Sequence, residues 1–382
     1  MVNSPLNERN MSAPVINKPF RKPDPNGGWS RQVEILRNAT VIPPSERRFV
    51  QEAGVLRENG SFCAQGAHWR KARPLTVKPD APDGKLPRLP GTWLWGGVLF
   101  RHFGHFLVES SGRLWPLGNL PEPIEGVLFI PKSPGADFAP EPFHRDFFEL
   151  AGVHRVYQAD RPLRVDKLYV PGQGFGLGQI IEGTDYARTF FQSRFAQDIA
   201  PDGPEKLYIS RSKLGRGRGK LLCEDHLDGL LADQGYEIFH PQAHDLKTQV
   251  ARYKAARQVI ASEGSAIHLF AMVARPVQQL AVVARRVSQA TGFLLRHVRS
   301  FAGIEPVLVN TLHRSWVPEN ESVARLWLSE LDFAAAHHLL AQNGFVDGPT
   351  WDDPSAQALE EAKKKASDVP LAPTGSMEEE EL

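Results

Sequence analysis

EKLYISRSKLGRGRGKLLCED, residues Glu205 to Asp225, reads as a buried strand that ends at Ser210, a basic glycine-rich loop, and a helix starting near Glu224. The next 85 or so residues continue the alternation. Helices are predicted over Glu224 to Gln234, Leu246 to Ala256, Gly264 to Met272 and Gln289 to Arg299. Strands are predicted over Tyr236 to Phe239, Gln258 to Ala261, Gln278 to Val283 and Pro306 to Val309. Short apolar strands alternating with helices give a parallel, doubly wound sheet, whose ligands gather at the strand C-terminal ends.

Two loops lie at that edge. The first carries Arg211, Lys213, Arg216, Arg218 and Lys220 among Gly215, Gly217 and Gly219. Cations at a strand end suit a diphosphate, and glycines let the backbone approach it. The competing reading is a solvated basic loop. The second is QVIASEGSAIHLF, Gln258 to Phe270. A strand runs into Glu263-Gly264-Ser265 and then a helix, whose first N–H groups and dipole favour an anion. Ser265 can donate to phosphate, and Glu263 suits ribose or sugar hydroxyls. His268 stands one turn into that helix. An ordinary strand–helix turn with a serine cap would look the same.

Upstream, GTWLWGGVLFRHFGHFLVESSGRLWPL (Gly91 to Leu117) predicts a strand over Trp93 to Phe100 and a helix over His102 to Leu117. His102, His105, Glu109 and Arg113 then share one helix side. Further strands are expected at GVLFI, RVYQ and KLYV, with helices over Pro142 to Leu150 and Asp185 to Ile199, an α/β pattern. GQGFGLGQI (Gly172 to Ile180) follows a strand, but its glycines do not make GxGxxG before a clear helix, so it reads as a flexible loop near the cleft, with a dinucleotide loop as the alternative. Trp93, Trp95 and Trp115 read as core, although Trp93 or Trp95 could stack on a sugar.

Composition bounds the answer. The chain has 382 residues, 41% hydrophobic and 23% charged, with a net charge of +1, which argues against a general nucleic-acid coat. Nine acids against three lysines from Asp352 to Leu382 leave the body basic and the tail acidic. No run approaches the ~20 apolar residues of a membrane span. Cys63 and Cys223 fall in different segments and read as free thiols in a reducing, cytoplasmic setting. The organisation expected is a flexible arm over 1–30, an N-terminal α/β domain over 31–200, a nucleotide-binding domain over 201–312, a helical extension over 313–350 and a disordered acidic tail over 351–382.

Several of these pieces, taken together, resemble glycosyltransferase family 61. They are LYISR (Leu207 to Arg211), Arg218 with Cys223-Glu224, Gly235 to Ile238, Thr248-Gln249, Ala256 to Ala266, and GHFLVESSGRLWPL (Gly104 to Leu117). The sequence departs from the family pattern at Glu263, where histidine is usual, at Cys223, where asparagine is usual, and at Glu109, where aspartate is common. The resemblance implies a GT-B-like fold: two Rossmann-like domains facing across a cleft. It also implies a nucleotide-sugar co-substrate, UDP-linked or similar, held mainly by the C-terminal domain at Arg211, Lys213, Arg218, Glu224, Glu263, Gly264, Ser265 and His268. Inversion, no obligatory metal, and a glycan or lipid-linked glycan acceptor of bacterial surface polysaccharide complete the implication.

An inverting transfer needs a base. His105 oriented by Glu109, or Glu109 acting directly, is the expected catalytic pair; a structural helix pair is the alternative. No metal is expected, since the spacing of His102, His105 and Glu109 matches no hydrolytic zinc motif. Two other functions stay open: a noncatalytic nucleotide- or glycan-binding scaffold, and another phosphate-handling transferase such as a sulfotransferase.

Overall fold

The computed structural model describes residues 22–135, 140–286, 288–319 and 324–374. The chain forms two compact units, divided after Asp198. Among the described residues, no helix is long and apolar enough to cross a membrane.

The first unit is built on a six-stranded sheet. Its strands are β1 (Val33–Ile42), β2 (Gly54–Leu56), β3 (Arg88–Leu99), β4 (Gly126–Pro131), β5 (Val156–Gln158) and β6 (Leu163–Pro171), in the order β2-β1-β6-β3-β4-β5. β6, β3, β4 and β5 are parallel, but β1 is antiparallel to both β6 and β2. The Rossmann-like pattern that the resemblance implies for this unit therefore holds only over the parallel part of the sheet. No helix joins β1 to β2, so that connection makes no crossover. Trp93 and Trp95 are buried in the core with Leu128, Ile130, Leu168 and Val170. Neither indole is available to stack on a sugar.

The helix predicted over His102 to Leu117 is much shorter. A single α-helical turn, α1 (Phe103–His105), widens into a π-helix over Phe106–Ser110 and ends in turns. Serine hydroxyls draw the backbone out of register: Ser111 donates to the Leu107 carbonyl at 2.5 Å, and Ser110 donates to the Val98 carbonyl at 3.0 Å. Gly112 then packs so closely on the Phe175 carbonyl that a Cβ there would stand 2.1 Å from its oxygen. Two further helices, α2 (Pro142–Leu150) and α3 (Asp185–Ser193), complete the unit. The expected arm over 1–30 lies outside the described residues up to 21. Its last part is ordered, since Ser30 is buried and accepts from the Asp24 N–H at 2.9 Å.

In the second unit β7 (Lys206–Ile209), β9 (Glu237–Phe239), β10 (Gln258–Ser262), β11 (Gln279–Val283) and β12 (Val307–Val309) form a parallel sheet in the order β9-β7-β10-β11-β12; β8 (Lys220–Leu221) belongs elsewhere. Helices α4 (Glu224–Asp233), α5 (Leu246–Ala255), α6 (Ala266–Val273) and α7 (Gln289–Ala302) alternate with these strands. This is the doubly wound pattern read from the sequence. The chain reverses its winding between the neighbours β7 and β10, and such a switch point opens a crevice at the strand C-terminal ends.

A second sheet was not foreseen. β8 pairs with β14 (Leu328–Leu331), which pairs with β13 (Leu312–Pro318), which pairs with β15 (Leu371–Pro373). The helical extension expected over 313–350 holds strands β13 and β14 first and becomes α-helical only after Asp332, whose carboxylate accepts the Ala335 N–H and starts α8 (Phe333–Gln342). The tail predicted as disordered is corrected over most of its length. It forms α9 (Ala356–Ala366) and β15, because Leu359, Ala362, Ala366 and Leu371 cover Leu222, Leu328 and Trp316. The glutamate run Glu378 to Glu381 lies outside the described residues.

Candidate active site

In the second unit the two predicted loops meet. β7 ends at Ile209, and Arg211 emerges into the crevice beside the turn after β10. Gly264 makes room for it: a Cβ there would lie 2.7 Å from Arg211 Nη1. Arg211 Nη2 donates to the Gly219 carbonyl at 3.0 Å, which ties the guanidinium to the far end of the basic loop. Arg211 Nε is buried and has no partner among the described residues.

Glu224 holds this arrangement from below. Its Oε1 accepts from the Arg211 N–H at 2.8 Å and from the Tyr208 hydroxyl at 3.0 Å. Burial pushes its carboxyl up, against the pull of the Arg211 N–H and charge. Glu224 thus positions Arg211, whereas the sequence placed it on the diphosphate itself. Lys213 and Arg218 are exposed on the loop. Arg216 is engaged by Asp368 and by the Lys365 carbonyl.

Glu263 also departs from its expected role. The carboxylate is fully buried, accepting from Arg286 Nε at 2.8 Å and from the Arg285 N–H at 3.3 Å. It is an internal counter-ion and cannot reach out to a sugar hydroxyl. Arg285 and Arg286, just beyond β11, were missed; in the sequence they read only as an interruption of the apolar run QLAVVA. Burial, and then Arg286, bring Arg285 down to about 9. Burial likewise lowers Arg211. Arg286 bonds the Glu263 carboxylate, Arg285 Nε donates to the Glu263 carbonyl at 3.2 Å, and Arg211 stands over Gly264, so three guanidinium groups lie around one turn at the start of α6, a place suited to an anion. Ser265 stands at that helix start with no capping bond from its side chain. His268 faces inward instead, its Nδ1 at 2.9 Å from His297 Nδ1, and is nearly buried.

The first unit carries a second cluster. Glu109 lies in the π-helical segment and is 1% exposed. Its Oε2 is 2.7 Å from His105 Nδ1, so the pair predicted from spacing does meet. Arg70 grips the same carboxylate with Nε and Nη2, both at 2.8 Å, and His68 Nε2 approaches Oε1 at 3.3 Å. Burial would raise the Glu109 carboxyl, but hydrogen bonds from His105, His68 and Arg70 outweigh it and hold it well below the usual range. Burial lowers His68. Glu109 is therefore a permanent anion without access to solvent, unsuited to act as the base. It fixes the Nδ1–H of His105, leaving Nε2 of a half-exposed ring as the lone-pair nitrogen.

His68 and Arg70 were also missed. They come from the β-rich segment 41 and 39 residues upstream of Glu109, and nothing in their spacing points to it. Arg113, expected on the same face, turns into the core and donates to the Gln65 and Ala67 carbonyls. Elsewhere, His313, Asp332 and Asp353 lie close together in the second unit. The His313 ring sits with Nδ1 3.7 Å from Asp332 and Nε2 3.2 Å from Asp353, each nitrogen facing a different carboxylate. The ring bridges the start of α8 to the C-terminal segment. Cys63 and Cys223 are free and buried.

Residues 103–281 match the family model described as glycosyltransferase 61. His105, Glu109, Arg211 and Glu263 to Ser265 fall inside the matched segment, and His68, Arg70, Arg285 and Arg286 fall outside it. No curated protein matches the chain.

Proposed function

The chain belongs to glycosyltransferase family 61 through residues 103–281, and on that premise we propose that it moves a sugar from a nucleotide-sugar donor to a hydroxyl of a glycan or lipid-linked glycan with inversion. The observation that carries this reading is the 2.7 Å contact between His105 Nδ1 and the buried Glu109 carboxylate. It supports His105 Nε2 as the atom that takes the acceptor proton. Glu109 holds the tautomer and stabilises the imidazolium that forms, as the carboxylate of a catalytic triad does. The freed oxygen attacks the anomeric carbon from the face opposite the diphosphate. That bond forms as the bond to the leaving oxygen breaks.

The leaving diphosphate gains charge in this step, and preorganised donors there lower the barrier. Arg211, Arg286 and the first N–H groups of α6 are the donors we assign to it. Ser265 adds a hydroxyl, with Lys213 and Arg218 at the exposed rim. Glu224 and Glu263 act through the arginines that they hold. Because guanidinium groups supply the positive charge, turnover is expected to persist in EDTA. We take the two units as the two domains of a GT-B-type transferase, working in the cytoplasm on surface polysaccharide with a UDP-linked or similar donor.

A panel of UDP-, GDP- and CMP-sugars, followed by calorimetry for binding and by nucleotide release for turnover, tests the proposal. Binding of at least one donor that Arg211→Ala weakens is the expected result. No binding of any nucleotide sugar, or complete loss of turnover on chelation with recovery on Mn²⁺, would overturn it.

A further inference from the structure

The surface around His105 is more cationic than a neutral acceptor needs. Arg70 and Arg73 stand directly opposite each other in a short antiparallel hairpin. Like charges in that position destabilise the pair. Glu109 compensates Arg70, but Arg73 is exposed and has no ion pair among the described residues. The Arg73 guanidinium rests 5.5 Å from the centre of the Phe49 ring, and Lys132 Nζ lies 5.7 Å from the same ring. Phe49 itself is 50% exposed.

Lys132 comes directly after β4 and donates to the Phe49 and Arg48 carbonyls at 2.8 and 3.3 Å. It too forms no ion pair among the described residues. Burial lowers its ammonium, Arg70 lowers it further, and Glu109 raises it. Arg70 in turn lies 5.3 Å over the Phe100 ring, and Phe100 is 5.7 Å from the His105 ring. A continuous path of cations and aromatic faces thus runs from Lys132 through Phe49, Arg73 and Arg70 to the imidazole proposed as the base. Glu109 offsets one charge of this path and acts at a distance on Lys132, but its two oxygens are bonded to Arg70, His105 and His68, so it is hydrogen-bonded to neither Arg73 nor Lys132.

From this juxtaposition we infer that the acceptor is an acidic saccharide, whose carboxylate or phosphate is received by Arg73 and Lys132 while its hydroxyl meets His105. The inference rests on the transferase reading above and adds the acceptor class to it. An anion between Arg73 and Lys132 relieves the repulsion across the hairpin. The exposed part of the Phe49 ring offers apolar surface to the sugar ring beside that anion. Uronic acids and sugar phosphates present the same chemistry, and the test separates them.

Methyl β-glucuronide, glucose 1-phosphate and neutral methyl β-glucoside are titrated by saturation-transfer NMR against the intact chain. The same titrations are run on Arg73→Gln, on Arg73→Gln with Lys132→Gln, and on Arg211→Ala. One or both anionic probes should bind about tenfold or more tighter than the glucoside, the scale of one charge-assisted hydrogen bond. The preference should disappear in the double variant and survive Arg211→Ala. Preference for glucuronide identifies a uronate acceptor, and preference for glucose 1-phosphate a phosphorylated one. Equal binding of glucoside, no binding of either anion, or loss of the preference only in Arg211→Ala would overturn the inference. Exposed Arg73→Gln carries the test alone if Lys132→Gln loosens the segment at Phe49. Donor binding is measured on the same samples. Intact donor binding without anion preference defeats this inference alone, and anion preference without donor binding defeats the transferase reading alone.

Discussion

The guanidinium of Arg211 lies directly over Gly264, so close that a methyl group on Gly264 would meet Nη1 at 2.7 Å and Cδ at 3.2 Å. Two loops far apart in the sequence are thereby interlocked, and a substitution in either is felt by the other.

Gly264→Ala should push the Arg211 side chain aside without unfolding the chain, since the displaced atoms are the end of a flexible side chain. Donor binding should weaken by about 1.5 kcal/mol, the low end for a hydrogen bond to a charged group, and Arg211→Ala by about 1.5–3 kcal/mol. Calorimetric titration with the nucleoside diphosphate reads both. If Gly264→Ala binds like the parent, the guanidinium does not contact the ligand in this orientation.

The pair in the first unit can be tested by separating chemistry from stability. His105→Ala removes a half-exposed ring, so unfolding should shift little while turnover falls by roughly 10²–10⁴. Glu109→Gln also strips Arg70 of its buried partner, so stability should drop by about 3 kcal/mol in addition to the loss of turnover. Turnover per folded molecule and thermal unfolding are measured on the same preparations. Full activity of His105→Ala would make the pair structural.

Locality decided which features were legible in the sequence. The second unit's sheet was readable because each buried strand, such as VIA in β10, is an unbroken apolar run bounded by a turn. His105 and Glu109 were readable because four residues on a helical turn bring two side chains together. Even the π-helical widening after His105 left that contact in place. His68 and Arg70 were not readable, since only the folding of the β-rich segment brings them to Glu109. Arg285 and Arg286 were hidden for a different reason: their signal is a position just beyond the end of a strand, while composition presents them as charges breaking an apolar stretch. The acidic tail misled most. Its glutamates and prolines dominate the composition, whereas Leu359, Ala362 and Ala366, spaced three and four apart, are what dock α9.

Deleting Pro354 to Leu382 should therefore destabilise the second unit, contrary to the expectation of a passive tail. The deletion uncovers Trp316, Leu222 and Leu328, removes Lys363 from its position 3.8 Å over the Trp316 ring, and leaves β13 without its β15 neighbour. Losing apolar cover equivalent to one or two side chains costs about 3 kcal/mol. Chemical denaturation of full-length and shortened chains decides it, and coincident curves would remove α9 from the folded core. Donor affinity should fall by less, because the exposed Arg216–Asp368 pair contributes only about 0–1 kcal/mol.

Acid should act on the chain through Glu109. An unfolded glutamate protonates near about pH 4.3, and the folded carboxyl is held well below that by His105, His68 and Arg70 acting against burial. The folded state therefore binds fewer protons at this group than the unfolded state does. Its stabilising contribution is complete above about pH 5 and is lost progressively as the pH falls through the folded value. Melting temperature measured from pH 7 down to pH 3 should accordingly fall more steeply for the parent than for Glu109→Gln, which starts lower but has no proton to gain at this position. The two curves should approach each other at the acid end. Parallel curves would mean that Glu109 contributes nothing to the acid limb, and would remove the argument that it stays ionised beside His105 during turnover.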